Sequence, residues 1–167
     1  SLLRRESLFL KLVTNLKTLT ELEKVVKQPL AVIKTIEAAD PENVSKFPST
    51  AKSAVTAFDK LTPTQKSFIP SDYQKRIEDF KKYLAFVDQM KALKPSAAGF
   101  QEAYTAAKAK YDQLKDAGAW KSTLATGIAE AVKTYEPALT EHNTSITGGQ
   151  GVKKLIDDLS GKYGQDF

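Results

Sequence analysis

Apolar residues recur along this chain in steps of three and four. Tyr73, Ile77, Phe80, Leu84 and Val87 form one such series, Phe100, Tyr104, Ala107, Tyr111 and Leu114 a second, and Ile128, Val132, Tyr135, Leu139 and His142 a third. Each series places one stripe on one face of a helix. Alternation with a period of two, the mark of a half-buried strand, is missing, so the pattern predicts an all-α chain with no sheet. The stripes are narrow and include alanine, which suits close-packed antiparallel helices.

Punctuation sets the expected boundaries. Thr20-Glu21-Leu22-Glu23, Thr62-Pro63-Thr64-Gln65 and Ser71-Asp72-Tyr73-Gln74 all read as capping boxes, the second with proline at N1, where no N–H is needed. Asp40-Pro41 and Lys94-Pro95-Ser96 each end one helix and open the next. Gly118 reads as a C′ residue. These signals predict helices over Leu2–Leu16, over Glu21–Ala39 with a kink at Pro29, and up to Leu61 with Pro48 in the first turn. A short helical turn follows Thr62. Long helices over Asp72–Leu93, Ala97–Asp116 and Trp120–His142 come next. Asn143–Gly151 reads as a flexible linker by composition, and a short helix is expected over Val152–Leu159.

The chain also repeats itself. Leu30–Pro41 (LAVIKTIEAADP) matches Leu84–Pro95 (LAFVDQMKALKP), pairing Val32 with Phe86, Ile33 with Val87 and Ile36 with Met90. After a one-residue deletion the register continues, with Phe47, Ala51, Ala54, Phe58 and Leu61 against Phe100, Tyr104, Ala107, Tyr111 and Leu114. In the following helix Tyr73, Ile77, Phe80 and Leu84 match Ile128, Val132, Tyr135 and Leu139. The helix at residues 72–93 therefore closes a first unit and opens a second. The expected architecture is an elongated pair of three-helix bundles sharing one long helix, as in spectrin-like rods. In residue numbers, 1–20 is an entry helix ending a preceding unit, 21–93 the first repeat and 72–142 the second; 143–151 is the linker and 152–167 a short helix and tail.

The stretch Ala54–Lys66 (AVTAFDKLTPTQK), preceded by Ile33–Pro41 and its counterpart Val87–Pro95, resembles helical repeats in large cell-surface and S-layer-type proteins of Gram-positive bacteria. The resemblance extends over Glu21–His142. It departs in the second unit, where Leu114 is followed by Lys115-Asp116-Ala117-Gly118 and not by a Thr-Pro-Thr-Gln cap. It implies an extracellular spacer, wall-associated or assembly module at the cell surface, whose partners are neighbouring domains of the same protein or lattice. It brings no functional residues with it.

Composition narrows the chemistry. With 167 residues, 41% of them hydrophobic, the chain can bury one good core or two small ones. No apolar run approaches the ~20 residues that span a bilayer, so membrane insertion is not expected. Cysteine is absent, so packing alone must stabilise the fold. The net charge of +5 suits an anionic partner such as a cell-wall polymer, although the lysines lie scattered among carboxylates. Nucleic acid is not expected, because the aromatics sit on the core stripes and not among exposed basic residues.

No enzyme, metal or cofactor site emerges. A lone His142 cannot build a zinc site and reads as a helix-end residue. Ser49-Thr50-Ala51-Lys52 matches an S-x-x-K nucleophile motif but lacks its partner strand motif. Gly148-Gly149-Gln150-Gly151 lacks phosphate-loop spacing. Glu78-Asp79 and Asp157-Asp158 point to different helix faces. Two features remain as a candidate polymer-binding site: the basic step Lys81-Lys82, and Trp120, expected to pack where two helices meet.

Overall fold

A computed structural model of the chain describes residues 2–164, with the backbone alone at Leu16. Among these residues the fold is all-helical, with no strand. Eight helices follow one another: α1 (Leu2–Ala38), α2 (Phe47–Asp59), α3 (Pro63–Ser67), α4 (Ser71–Ala92), α5 (Phe100–Lys115), α6 (Ala117–Trp120), α7 (Ala125–Lys133) and α8 (Glu136–Tyr163). The chain divides into two compact units, Ser1–Phe80 and Lys81–Phe167. The division falls inside α4.

In the first unit, the C-terminal part of α1 packs on α2 and α3. Its core holds Val32 and Ile36 of α1, Phe47, Ala51, Ala54 and Phe58 of α2, and Ile77 and Phe80 of α4. The rings of Phe47 and Phe80 meet edge-on at 5.7 Å, a favoured aromatic geometry. The Tyr73 hydroxyl donates to the Glu37 carboxylate. That bond pushes the tyrosine's pKa above its usual value, because ionisation would lose the donor beside a carboxylate.

In the second unit, Tyr83, Phe86, Val87 and Met90 of α4 are buried with Ala107, Tyr111 and Leu114 of α5, Ile128 and Val132 of α7, and Leu139 of α8. Phe86 lies 6.2 Å from Tyr111 and edge-on to Tyr135 at 5.3 Å. Burial, followed by the neighbouring Tyr135 hydroxyl, holds the Tyr83 phenol far above the ordinary tyrosine range.

The internal repeat is visible in the backbone. α1 ends at Ala38 and α4 at Ala92, 54 residues apart, whereas α2 begins at Phe47 and α5 at Phe100, 53 apart. The missing residue lies in the intervening turn, where the alignment placed it. Both turns open alike: Ala39 N–H donates to the Ile36 carbonyl and Leu93 N–H to the Met90 carbonyl, each at 3.2 Å. Further on, Asn43 bonds back to Asp40 as Ala97 does to Lys94. Ala54 and Ala107, Phe58 and Tyr111, and Leu61 and Leu114 are buried as matched pairs.

The Thr62 capping box forms as expected, with Gln65 N–H donating to Thr62 Oγ1 at 3.2 Å and Thr62 N–H to Gln65 Oε1 at 3.0 Å. Pro48 sits in the first turn of α2.

Other boundaries differ from the sequence reading. Residues 2–16 and 21–39 are not separate helices: α1 runs unbroken from Leu2 to Ala38, with Thr20 mid-helix and Pro29 inside it. The four residues Thr20–Glu23 are as compatible with a helix interior as with its start. The Ser71 box does not form either: Ser71 is already helical and the Gln74 N–H donates to the Pro70 carbonyl at 3.1 Å, while the Gln74 side-chain amide donates to the Ile69 carbonyl at 2.8 Å. Ala97 and Ala98 belong to the turn before α5, which starts after Gly99 (φ 77°). Gly118 lies within α6 and closes nothing.

The expected helix Trp120–His142 is broken twice. Lys121 takes a left-handed conformation after α6, and α8 restarts at Glu136 with Pro137 in its first turn, where a missing N–H costs nothing. The linker expected at Asn143–Gly151 is instead helical, in the middle of α8, and the short helix expected at Val152–Leu159 is the continuation of α8. Hydroxyls of Thr144, Ser145 and Thr147 donate to carbonyls four residues back along this stretch.

Burial differs between the two copies at their first aromatic position. Phe47 is 0% exposed, whereas Phe100 is half-buried with one face on His142. Phe47→Ala should therefore cost about 3–5 kcal/mol through transfer and cavity terms, and Phe100→Ala clearly less. Urea denaturation of the two variants measures the difference; equal costs would break the argument from burial.

Candidate functional site

Trp120, the only tryptophan of the chain, ends the four-residue helix α6. Its position follows from local backbone geometry. Asp116 ends α5 with φ −97° and ψ 81°, and Lys121 turns the chain away at φ 41° and ψ 56°. Lys121 is the one described non-glycine residue with positive φ. Gly99 and Gly164 adopt that region at no steric cost, but a lysine there is strained by its Cβ.

This turn sets the indole beside α4 and α5. The Lys82 ammonium lies 5.2 Å from the centre of the Trp120 ring, a cation–π contact. Lys82, Lys110, Gln113, Leu114, Ala119 and Trp120 together line a cleft of about 310 Å³. The indole N–H is buried without a hydrogen-bond partner among the described residues, as is the Ser122 hydroxyl oxygen. The cleft thus combines two ammonium groups, one carboxamide and an indole ring. That set can hold an anionic or hydroxyl-rich group by charge and hydrogen bonding.

Of the residues singled out in the sequence, the structure brings Lys82 and Trp120 together. Lys81, one step along α4, is half-buried and does not line the cleft. Lys110 and Gln113 were not singled out. Lys110 and Leu114 are four apart on α5, with Gln113 beside them, so the apolar stripe ending at Leu114 was the available signal for which α5 residues face Trp120.

The other motifs resolve into structure. The Ser49 hydroxyl donates to the Lys46 carbonyl at 2.9 Å in the first turn of α2. Gly148, Gly149 and Gly151 lie mid-helix and not at a helix start, so their N–H groups are committed to the helix ladder. His142 is also mid-helix, not at a helix end; its ring packs edge-on to Phe100 at 5.4 Å. Glu78 is exposed and Asp79 buried, so adjacency in sequence does not pair them. Among the described residues no three His, Asp or Glu side chains converge as a metal site, and no helix is long and apolar enough to cross a membrane.

No protein-family model matches the chain, and neither does any curated protein or solved structure.

Relieving the left-handed strain at Lys121 should stabilise the second unit. Lys121→Gly removes a penalty of about 1–2 kcal/mol and adds back about 0.5–1 kcal/mol of chain entropy, leaving a small net gain. Thermal unfolding followed by Trp120 fluorescence measures it, and a lowered midpoint would show that Lys121 makes compensating contacts.

Proposed function

We propose that this chain is a non-catalytic structural module, a spacer or assembly segment of a bacterial extracellular, S-layer-like protein. The observation that carries the reading is the repeated junction: the α1-to-α2 and α4-to-α5 turns share their opening hydrogen bonds, and matched apolar positions follow each. Repeats of this kind accumulate length by nearest-neighbour packing. In this reading α4 is the shared helix of two tandem three-helix bundles, and the particle is elongated. The module works at the cell surface, where its partners are neighbouring domains of the same protein or lattice.

Small-angle scattering tests the arrangement. A compact domain of this length has a radius of gyration of about 15 Å, and the elongated module should exceed it clearly. A value at the compact limit would remove the spacer reading.

The convergence of Lys82, Lys110 and Trp120 favours a second reading, a binding module for an anionic cell-wall polymer or host protein. Ammonium groups on flexible stems recognise charge more than shape, and exposed charges act over about 8 Å at physiological salt. Binding to purified cell walls should therefore be present at low salt, fade as salt rises, and weaken in the Lys82→Glu, Lys110→Glu double variant. Retention that ignores both salt and the substitutions would rule this cleft out.

A further inference from the structure

The largest anomaly of the molecule lies at the start of α1. Leu8, Leu12, Leu19 and Leu22 are between 50% and 62% exposed, and Leu2, Leu3, Phe9 and Leu10 are more exposed still. Single exposed leucines are ordinary, but a contiguous patch on this scale marks an interaction surface. Helical spacing places Leu8, Leu12, Leu19 and Leu22 on one face, from which Leu2, Leu3, Phe9 and Leu10 turn away by about 100° or more. Counting back from the buried residues Ile36, Val32 and Pro29 in steps of three and four gives Val26, Leu22, Leu19, Asn15, Leu12 and Leu8. The stripe that enters the first core therefore continues up the helix, where Leu8, Leu12, Asn15, Leu19 and Leu22 are exposed.

We propose that this face pairs with its equivalent in a second copy of the chain, as an antiparallel two-helix interface between α1 segments. Continuity with the buried stripe fixes the face. The spacing fixes the pairing: Leu8, Leu12, Asn15 and Leu19 follow steps of four, three and four, which read the same in both directions, as an isologous contact requires. Leu8 then meets Leu19 of the second copy, and Leu12 meets Asn15. Asn15 is the polar residue in the seam and sets register at a cost in stability, as buried asparagine does in coiled coils.

Charge fixes the direction. Parallel pairing sets Arg5 against Arg5, whereas antiparallel pairing brings Arg5 beside Glu21 and Glu23. Length suffices as well: residues 2–26 of a helix span about 37 Å, enough for the ~800 Å² per partner of an ordinary stable interface.

Sedimentation and light scattering of the full chain test the proposal. The expected mass is twice the 18.4 kDa of one chain, falling to one chain in Leu12→Lys, Leu19→Lys with helicity retained, since both leucines are exposed. Because the chain has no cysteine, oxidation of single-cysteine variants reads out direction. Leu8→Cys mixed with Leu19→Cys should cross-link. Neither should cross-link alone, because in antiparallel register two copies of residue 8 lie about 16 Å apart, beyond disulfide reach. A single chain mass throughout the micromolar and submillimolar range overturns the proposal, and so does self-cross-linking of Leu8→Cys. Dimers that survive the α1 substitutions but dissolve on changing Val152 and Leu155, the exposed apolar pair of α8, overturn it in favour of that face. Capture of the monomer by lipid vesicles overturns it in favour of a membrane surface.

Discussion

The side chains of α4 enter two cores, and this is possible only because its hydrogen-bond ladder runs without interruption from Ser71 to Ala92. Ile77 and Phe80 belong to the first core, and Tyr83, Phe86, Val87 and Met90 to the second. A helix of this kind needs apolar residues at nearly every turn, and the sequence supplies them without a proline or glycine between Ser71 and Ala92. The aromatic contacts Phe47–Phe80 and Phe86–Tyr111 then fix the facing helices on either side of the division. The corresponding stretch in the second copy is not continuous: α7 ends at Lys133, and Pro137 opens α8. A proline in place of an interior N–H donor would cost about 3 kcal/mol, so the backbone restarts the helix there.

The parts of the fold that could be read from the residues were those with one physical solution. Thr62-Pro63-Thr64-Gln65 reads as a helix start because proline costs nothing at N1, while the threonine and glutamine side chains complete a capping box. Pro41 and Pro95 marked matching turns because each ends a run with the same apolar register. Phe58 and Tyr111 were paired correctly because the 3.6-residue period leaves little freedom once a stripe is long. The ambiguous parts were those where local preferences compete with continuation. Thr20-Glu21-Leu22-Glu23 can cap or continue, and upstream Thr14 and Thr18 already spend their hydroxyls on carbonyls four residues back. The glycines at 148, 149 and 151 each weaken a helix by about 1 kcal/mol, yet the ladder persists through them.

The candidate cleft was half legible. Lys82 and Trp120 stood out as residue types, but their meeting depends on the backbone at Asp116 and Lys121, and no residue pattern announces a lysine in the left-handed region. Lys110 and Gln113 reach the cleft because the α5 stripe that buries Leu114 turns its flank toward the indole. Surface charge alone had pointed to Lys81 and Lys82 together. Helical geometry separates them by about 100° around α4, and of the two only Lys82 lines the cleft.

Pro29 divides α1 in a way the secondary structure does not display. Proline has no N–H to offer the Val25 carbonyl four residues earlier, so one rung of the ladder is missing where the buried half of the helix gives way to the exposed half. Cooperativity along a helix is carried rung by rung. The upper segment can therefore melt and re-form while Val32 and Ile36 stay in place, and the missing rung insulates the first core from whatever happens to the exposed half of the helix.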